Sequence, residues 1–236
     1  EQGLSLAGLR ADDDHSDTKI LDVGAGTGTL SMQALRRGVP AKNLTLIDQS
    51  ASMLSYARAK PELADATIVC ADAHVLPFES ASFDRVVSSG SIYYFPEPVV
   101  ALREQMRVLR AGGVVLAMGS LQPKPRLIRL LAQTFNRFPT EQQYRSWFTQ
   151  AGLVDIRTVY ISNPWNANQY ALAICGTRPT GVEMERAVAA ESAATAPSCR
   201  GLRGWVRIPL QLARYSVAMA AFALLGPMQV LNAMVG

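Results

Sequence analysis

Short apolar runs bounded by turn residues recur along the chain at 19–23, 44–48, 67–70, 83–89, 113–119, 154–161 and 170–176. They read as strands, and the first, with Ile20, Leu21 and Val23, suits a parallel strand buried on both faces. Residues 29–38, 51–59, 97–110 and 140–150 have helical character instead. Strand and helix alternate, which predicts an α/β fold: a doubly wound, seven-stranded, mostly parallel sheet covered on both sides. Local signals sharpen some ends. Thr140 with Gln143 predicts a capping box, and Gly152 a left-handed stop after Ala151. Trp147 and Phe148 are expected to face the sheet. Pro96 and Pro98 open a helix that Arg110 and Gly112 are expected to end.

The first strand, KILDV, ends in an acid and opens into glycines at every second position, Gly24, Gly26 and Gly28. Such residues let the chain turn sharply and bring bare backbone against a ligand at the next helix N-terminus. The spacing is G-x-G-x-G, whereas the dinucleotide fingerprint sets its third glycine one residue later. Asp48 closes the second strand, where an acid can accept hydrogen bonds from both hydroxyls of a ribose. Together they point to an adenosine-type cofactor, with Asp22, Gly24, Ala25, Gly26, Gly28, Asp48 and Gln49 as candidate contacts. A tight strand-to-helix turn with no ligand is the alternative.

Composition narrows the partners. The chain has 236 residues and a net charge of +4, with 23 basic residues interspersed among 19 acidic ones. No aromatic-and-basic interleaving or zinc-finger spacing appears, so nucleic acid is not an expected partner. Cys70, Cys175 and Cys199 lack paired spacing, and His15 and His74 are the only histidines, so neither a disulfide framework nor a metal site is expected. Cys70 and Cys175 read as small buried thiols.

Several motifs resemble the S-adenosylmethionine-dependent methyltransferases of the doubly wound, Rossmann-like class. They are LDVGAGTG, Asp48, the Asp72-Ala73 pair, FDRVVSSGSIYYF and LRAGG, within 19–178. The resemblance implies that Asp72 meets the adenine amino group, that Ala73 adds a backbone contact, that Ser89 belongs to the cofactor set, and that the seventh strand runs antiparallel at one edge. IDQS, GSIYYFPEP and FPTEQQYRSWFTQAGL are similar to the plastid methyltransferases of 2-methyl-6-phytyl- and 2-methyl-6-solanesyl-benzoquinol. That similarity implies a prenylated quinol substrate and a plastid membrane location, in the inner envelope or thylakoid; the arginines ahead of the C-terminal apolar run put the domain on the stromal face, or otherwise on the cytoplasmic face of a membrane.

Outside the catalytic domain the pattern changes. Residues 1–18 are a short polar segment that starts without Met, so a preceding sequence with any targeting peptide is expected, and the helical cover that relatives carry ahead of the glycines looks thin. Residues 179–204 are rich in Ala, Ser, Gly and charge and read as a linker. From Tyr215 to Gly236 no charged residue occurs, and Arg200, Arg203, Arg207 and Arg214 precede that run, so 205–236 reads as a membrane anchor. Gly226-Pro227, Gln229 and Asn232 keep a kinked interfacial segment open as the alternative to a full span. Residues 124–138 space Leu127, Leu130, Leu131, Phe135 and Phe138 as a basic amphipathic helix, suited either to pack on the sheet or to dip into anionic lipid.

Methyl transfer from a sulfonium needs alignment and dryness rather than a covalent nucleophile. A base that draws a proton from a quinol hydroxyl would make the ring richer in electrons, and the candidates are His74, Tyr93 and Tyr94, with Ser91 near them. His74 also reads as a loop histidine, and the tyrosines as packing. The family carries a glutamate where Tyr93 stands. The alternative functions are a methyltransferase fold kept as a structural subunit of a membrane complex, with partner proteins, and a methyltransferase of another lipophilic phenol.

Overall fold

The computed structural model describes residues 2–121, 138–163 and 166–181. The strands are β1 (Ile20–Val23), β2 (Leu44–Asp48), β3 (Thr67–Cys70), β4 (Phe83–Ser89), β5 (Leu109–Ser120), β6 (Val154–Asn163) and β7 (Asn166–Thr177). The helices are α1 (Gln2–Leu6), α2 (Thr29–Leu35), α3 (Ala51–Arg58), α4 (Pro98–Val108) and α5 (Glu141–Gln150). The sheet order is β3-β2-β1-β4-β5-β7-β6, parallel from β3 through β5, with β7 antiparallel to both of its neighbours. The chain thus winds outward from β1 in two directions, and the order reverses between β1 and β4. In open α/β sheets the crevice outside the carboxyl ends at such a reversal is where ligands bind.

Each face of the sheet carries its own apolar layer. Leu21, Val23, Ile47 and Val86 pack with Ala101 and Leu102 of α4 and with Tyr144 and Phe148 of α5. Ile20, Leu44, Leu46, Val87 and Leu116 pack with Leu4 of α1, Leu30 and Ala34 of α2 and Ala57 of α3. All four residues of β1 are buried, as a central parallel strand covered by helices requires. Phe148 faces the core as expected, Trp147 is partly buried beside it, and the fully buried Tyr144 joins them.

Three expectations need correction. The seventh strand is not at the edge: β7 is bonded on one side to β5 and on the other to β6, and β6 is the edge strand. Leu172, Ala173, Ile174 and Cys175 are buried, which an interior position demands. Next, α4 ends at Val108 rather than Arg110, because Leu109 turns extended and pairs with Phe83. Tertiary contacts satisfy the carbonyls at this end: Ala81 N–H donates to Arg107 O at 3.1 Å, Ser82 N–H to Val108 O at 2.8 Å, and the Arg178 guanidinium to Leu109 O. Finally, Cys70 is exposed, because β3 is the other edge of the sheet, and its thiol donates to Gln49 O.

The N-terminal segment is more structural than its polarity suggests. Leu4, Ala7 and Leu9 are at most 1% exposed, and α1 lies on β5, β6 and β7. Arg85 Nε donates to Ala7 O at 2.8 Å, and Arg37 donates to Ser5 Oγ and Leu9 O, so two guanidinium groups hold the segment down. The predicted capping box is present: Thr140 N–H donates to Gln143 Oε1 at 2.8 Å, and Gln143 N–H to Thr140 Oγ1 at 3.2 Å. Among the described residues no helix is long and apolar enough to cross a membrane. The basic helix predicted at 124–138 falls almost wholly outside the described residues, as do the anchor at 205–236 and nearly all of the linker.

Candidate functional site

Where the strand order reverses, a cavity of about 440 Å³ opens at the carboxyl ends of β1, β2 and β4. It is lined by Asp22, Gly24, Ala25, Gly26, Asp48 and Ser89 of the expected cofactor set, and by Ser91 and Tyr94 of the β4 exit. Thr27, Thr29, Leu30, Gln33, Gly90, Met53 and Met118 complete the wall.

The glycine turn is built for close approach. Gly24, Gly26 and Gly28 all have positive φ, at 68°, 55° and 78°. A Cβ on Gly24 would lie 2.4 Å from the Ser91 Cβ. The Ser91 hydroxyl donates to Val23 O at 3.1 Å, so the exit of β4 is fastened to the turn after β1 and only bare backbone fits between them. Gly28 serves packing instead: it caps α2, and its Cβ would come within 2.8 Å of Leu63 Cδ1. Gly26 faces open space apart from Met53 Cε at 3.5 Å.

Two carboxylates stand in the cavity wall. Asp48 Oδ2 accepts from Gly26 N–H at 2.9 Å, and its Oδ1 accepts from Ser50 N–H at 2.8 Å. A carboxylate has about four lone-pair sites, so acceptor capacity remains for a diol. Asp22 is 2% exposed; its Oδ2 accepts from Ser31 Oγ at 2.7 Å, and its Oδ1 has no hydrogen-bond partner among the described residues. Burial is the main cause that pushes its pKa from 3.8 to about 6, opposed by the Ser31 hydrogen bonds and assisted by the charge of Asp48. A buried, half-satisfied carboxylate at a cavity wall suits a cationic donor.

Two of the other expected cofactor residues, Gln49 and Asp72, form a separate cluster with His74 after β2 and β3. Asp72 Oδ1 accepts from His74 N–H at 2.9 Å, lies 2.7 Å from His74 Nδ1, and accepts from Gln49 Nε2 at 3.1 Å. These bonds, the backbone one first, hold the Asp72 pKa below its ordinary value. All three fall on Oδ1 of a half-exposed side chain. Gln49, Asp72, Ala73 and Gly28 therefore do not line the cavity itself.

Of the three candidates for acid-base work, Tyr94 lines the cavity and is half-exposed, whereas Tyr93 and His74 do not line it. Burial pushes the Tyr93 phenol up to about 12, and its ring sits 4.7 Å from that of Tyr94. His74 is committed to Asp72 and packs edge-on against Phe95 at 5.9 Å. Among the described residues no group of His, Cys, Asp and Glu is arranged to hold a metal ion. Sequence patterns gave no sign of Ser31, Met53 or Met118, because each reaches the site through the packing of α2, α3 or β5 rather than through a motif.

Comparison with known proteins agrees with this geometry. A family model described as a methyltransferase domain matches residues 21–117. The chain is 40% identical over 169 residues to the chloroplastic 2-methyl-6-phytyl-1,4-hydroquinone methyltransferase 2 of Oryza sativa subsp. japonica, covering 71% of this chain and 48% of that protein. It is 31% identical over 168 residues to demethylmenaquinone methyltransferase of Staphylococcus aureus (strain JH9), covering 59% of this chain and 69% of the relative. The chain thus spans about half the length of the plant relative it matches. In fold it is similar to the putative methyltransferase of Haloferax volcanii solved with the Trm112 activator, with a TM-score of 0.62 at 22% identity over 75% of this chain and 90% of that one. A glycine turn and two carboxylates at the reversal point of a seven-stranded sheet, carried by a sequence that aligns through most of a bacterial quinone methyltransferase, mean that this chain belongs to the S-adenosylmethionine-dependent methyltransferases.

Proposed function

We propose that this protein transfers a methyl group from S-adenosylmethionine to a ring carbon of a prenylated hydroquinone at a plastid membrane. The observation that carries the reading is the cavity, whose wall joins glycine backbone, Asp22 and Asp48 to the larger side chains of Met53, Met118 and Tyr94. The donor set fits the cofactor. Asp22 Oδ1, buried without a partner among the described residues, receives the ammonium of the methionine part. The bare backbone at Gly24 and Gly26 admits its chain, Asp48 accepts from the ribose hydroxyls, and Asp72 Oδ2 accepts from the adenine amino group, with Ala73 beside it. Bound there, the cofactor supplies a methyl already activated by a sulfonium, so alignment and exclusion of water are the protein's task.

On the acceptor side, Tyr94 lines the cavity and Met118 offers polarizable apolar contact to an aromatic ring. Tyr94 Oη hydrogen-bonds a quinol hydroxyl and so orients the ring; that hydroxyl gives its proton to water as the ring carbon bonds the methyl and the S–CH3 bond breaks, leaving S-adenosylhomocysteine, and the proton on the methylated carbon then returns to the oxygen and restores the aromatic ring. Two of the relatives carry a phytylated hydroquinone and demethylmenaquinone in their names, which supports a lipid-tailed ring as acceptor. The plant relative is chloroplastic, which supports a plastid location. Membrane attachment rests on the uncharged run at 215–236 behind its arginines.

Purified protein in lipid vesicles, given methyl-labelled S-adenosylmethionine and 2-methyl-6-phytyl-1,4-hydroquinone, is expected to yield ring-methylated quinol by mass spectrometry. Binding of S-adenosylhomocysteine without transfer to this or another lipophilic phenol would refute the reading and leave a structural subunit.

A further inference from the structure

We propose that Tyr144, on α5, is a positioning residue for the acceptor wall of the cavity, acting through Tyr93 on Tyr94. For the identity of the acceptor the inference rests on the function proposed above; for the packing it does not. Tyr144 is fully buried, its ring 5.4 Å from Trp147, and its hydroxyl reaches the carboxyl end of β5, donating to Ser120 O at 3.3 Å. A core position that needed volume alone would be filled by Phe with no polar tip to satisfy.

The backbone beside that hydroxyl is bare. A Cβ on Gly119 would lie 2.3 Å from Tyr144 Oη and 3.1 Å from Tyr93 Cε1, so both rings are seated on the same glycine. Tyr93 in turn meets Tyr94 at 4.7 Å with the rings tilted 47°, and Tyr94 lines the cavity. The residue before Gly119, Met118, lines the cavity as well and accepts from Gly90 N–H at 2.8 Å through its carbonyl. A close-packed interior transmits displacement rather than absorbing it. Tyr144 therefore sets where Tyr93 rests and how far Tyr94 leans into the acceptor space, and it makes no hydrogen bond to the glycine turn among those described.

The test uses full-length Tyr144→Phe and Gly119→Ala. Tyr144→Phe is expected to raise the KM for 2-methyl-6-phytyl-1,4-hydroquinone about fivefold, the weight of one neutral hydrogen bond, with S-adenosylhomocysteine affinity unchanged by calorimetry. Gly119→Ala shifts the same KM further. An unchanged KM, or a KM that moves together with S-adenosylhomocysteine affinity as a folding defect would make it, overturns the proposal. In protein labelled with 3-fluorotyrosine, the Tyr94 resonance, assigned by its loss in Tyr94→Phe, is expected to move in both variants, and a fixed resonance overturns the proposal. Should wild-type protein methylate no hydroquinone, that function falls and the fluorine shift alone decides the positioning role.

Discussion

Asp22→Asn tests the electrostatics of the site most directly. The carboxyl is 2% exposed, and burial is the main cause that lifts its pKa from 3.8 to about 6. Between those two values the unfolded chain has lost a proton that the native chain keeps, so stability falls as pH rises from about 4 and levels off above about 6. The loss is about 3 kcal/mol, the rise in pKa multiplied by 1.36 kcal/mol. An Asn at this position can keep the Ser31 hydrogen bond through its carbonyl and never ionises. Ligand-free Asp22→Asn is therefore expected to show a flat stability profile between about pH 4.5 and 6, where the wild type declines, read by urea denaturation. The same change is expected to weaken S-adenosylhomocysteine binding at pH 7.5 by at least about tenfold, since a charge-assisted hydrogen bond to the ammonium contributes about 1.5–3 kcal/mol. Parallel pH profiles for the two proteins would refute the argument, whatever the offset between them, because they would mean that Asp22 titrates as an ordinary solvated acid.

Three further outcomes are expected. Asp48→Ala weakens cofactor binding by at least about tenfold in calorimetric titration, because it removes charge-assisted bonds to the ribose and also frees Gly26 N–H; unchanged affinity would sink the ribose assignment. Gly24→Ala abolishes measurable binding, since its Cβ would lie 2.4 Å from Ser91 Cβ, and adding Ser91→Gly restores part of it; no recovery would mean that positive φ alone, at roughly 1–2 kcal/mol, is decisive. Removing 205–236 is expected to release the protein from lipid vesicles in flotation assays while sparing S-adenosylhomocysteine affinity, and a shortened protein that still floats would defeat the anchor reading.

How much was legible beforehand differs from element to element. The strand from Leu44 to Asp48 and the helix from Thr140 onward could be placed to within a residue because their causes are local: an unbroken apolar run, and a reciprocal cap between neighbouring side chains. The end of α4 could not, since Leu109 is drawn into β5 by partners distant in the chain, Phe83 and Arg178. The place of Asp48 beside the glycine turn was legible from its position at a strand end. The different situations of Tyr93 and Tyr94 were not, as neighbouring residues in a short 3₁₀ turn are sent in different directions by what packs on them.

The amino-acid sequence by itself determined the alternation of strand and helix, the glycine turn and its acidic partners, and the chemistry they suit, because each rests on periodicity or on a backbone conformation that few residues tolerate. Only the tertiary structure decided that β7 lies inside the sheet, that the polar-looking N-terminal segment is bolted to it by Arg37 and Arg85, and that Asp22 is buried with one oxygen unpaired. Burial, strand order and the surroundings of a charge are properties of what arrives from elsewhere in the chain, and local sequence carries no term for them.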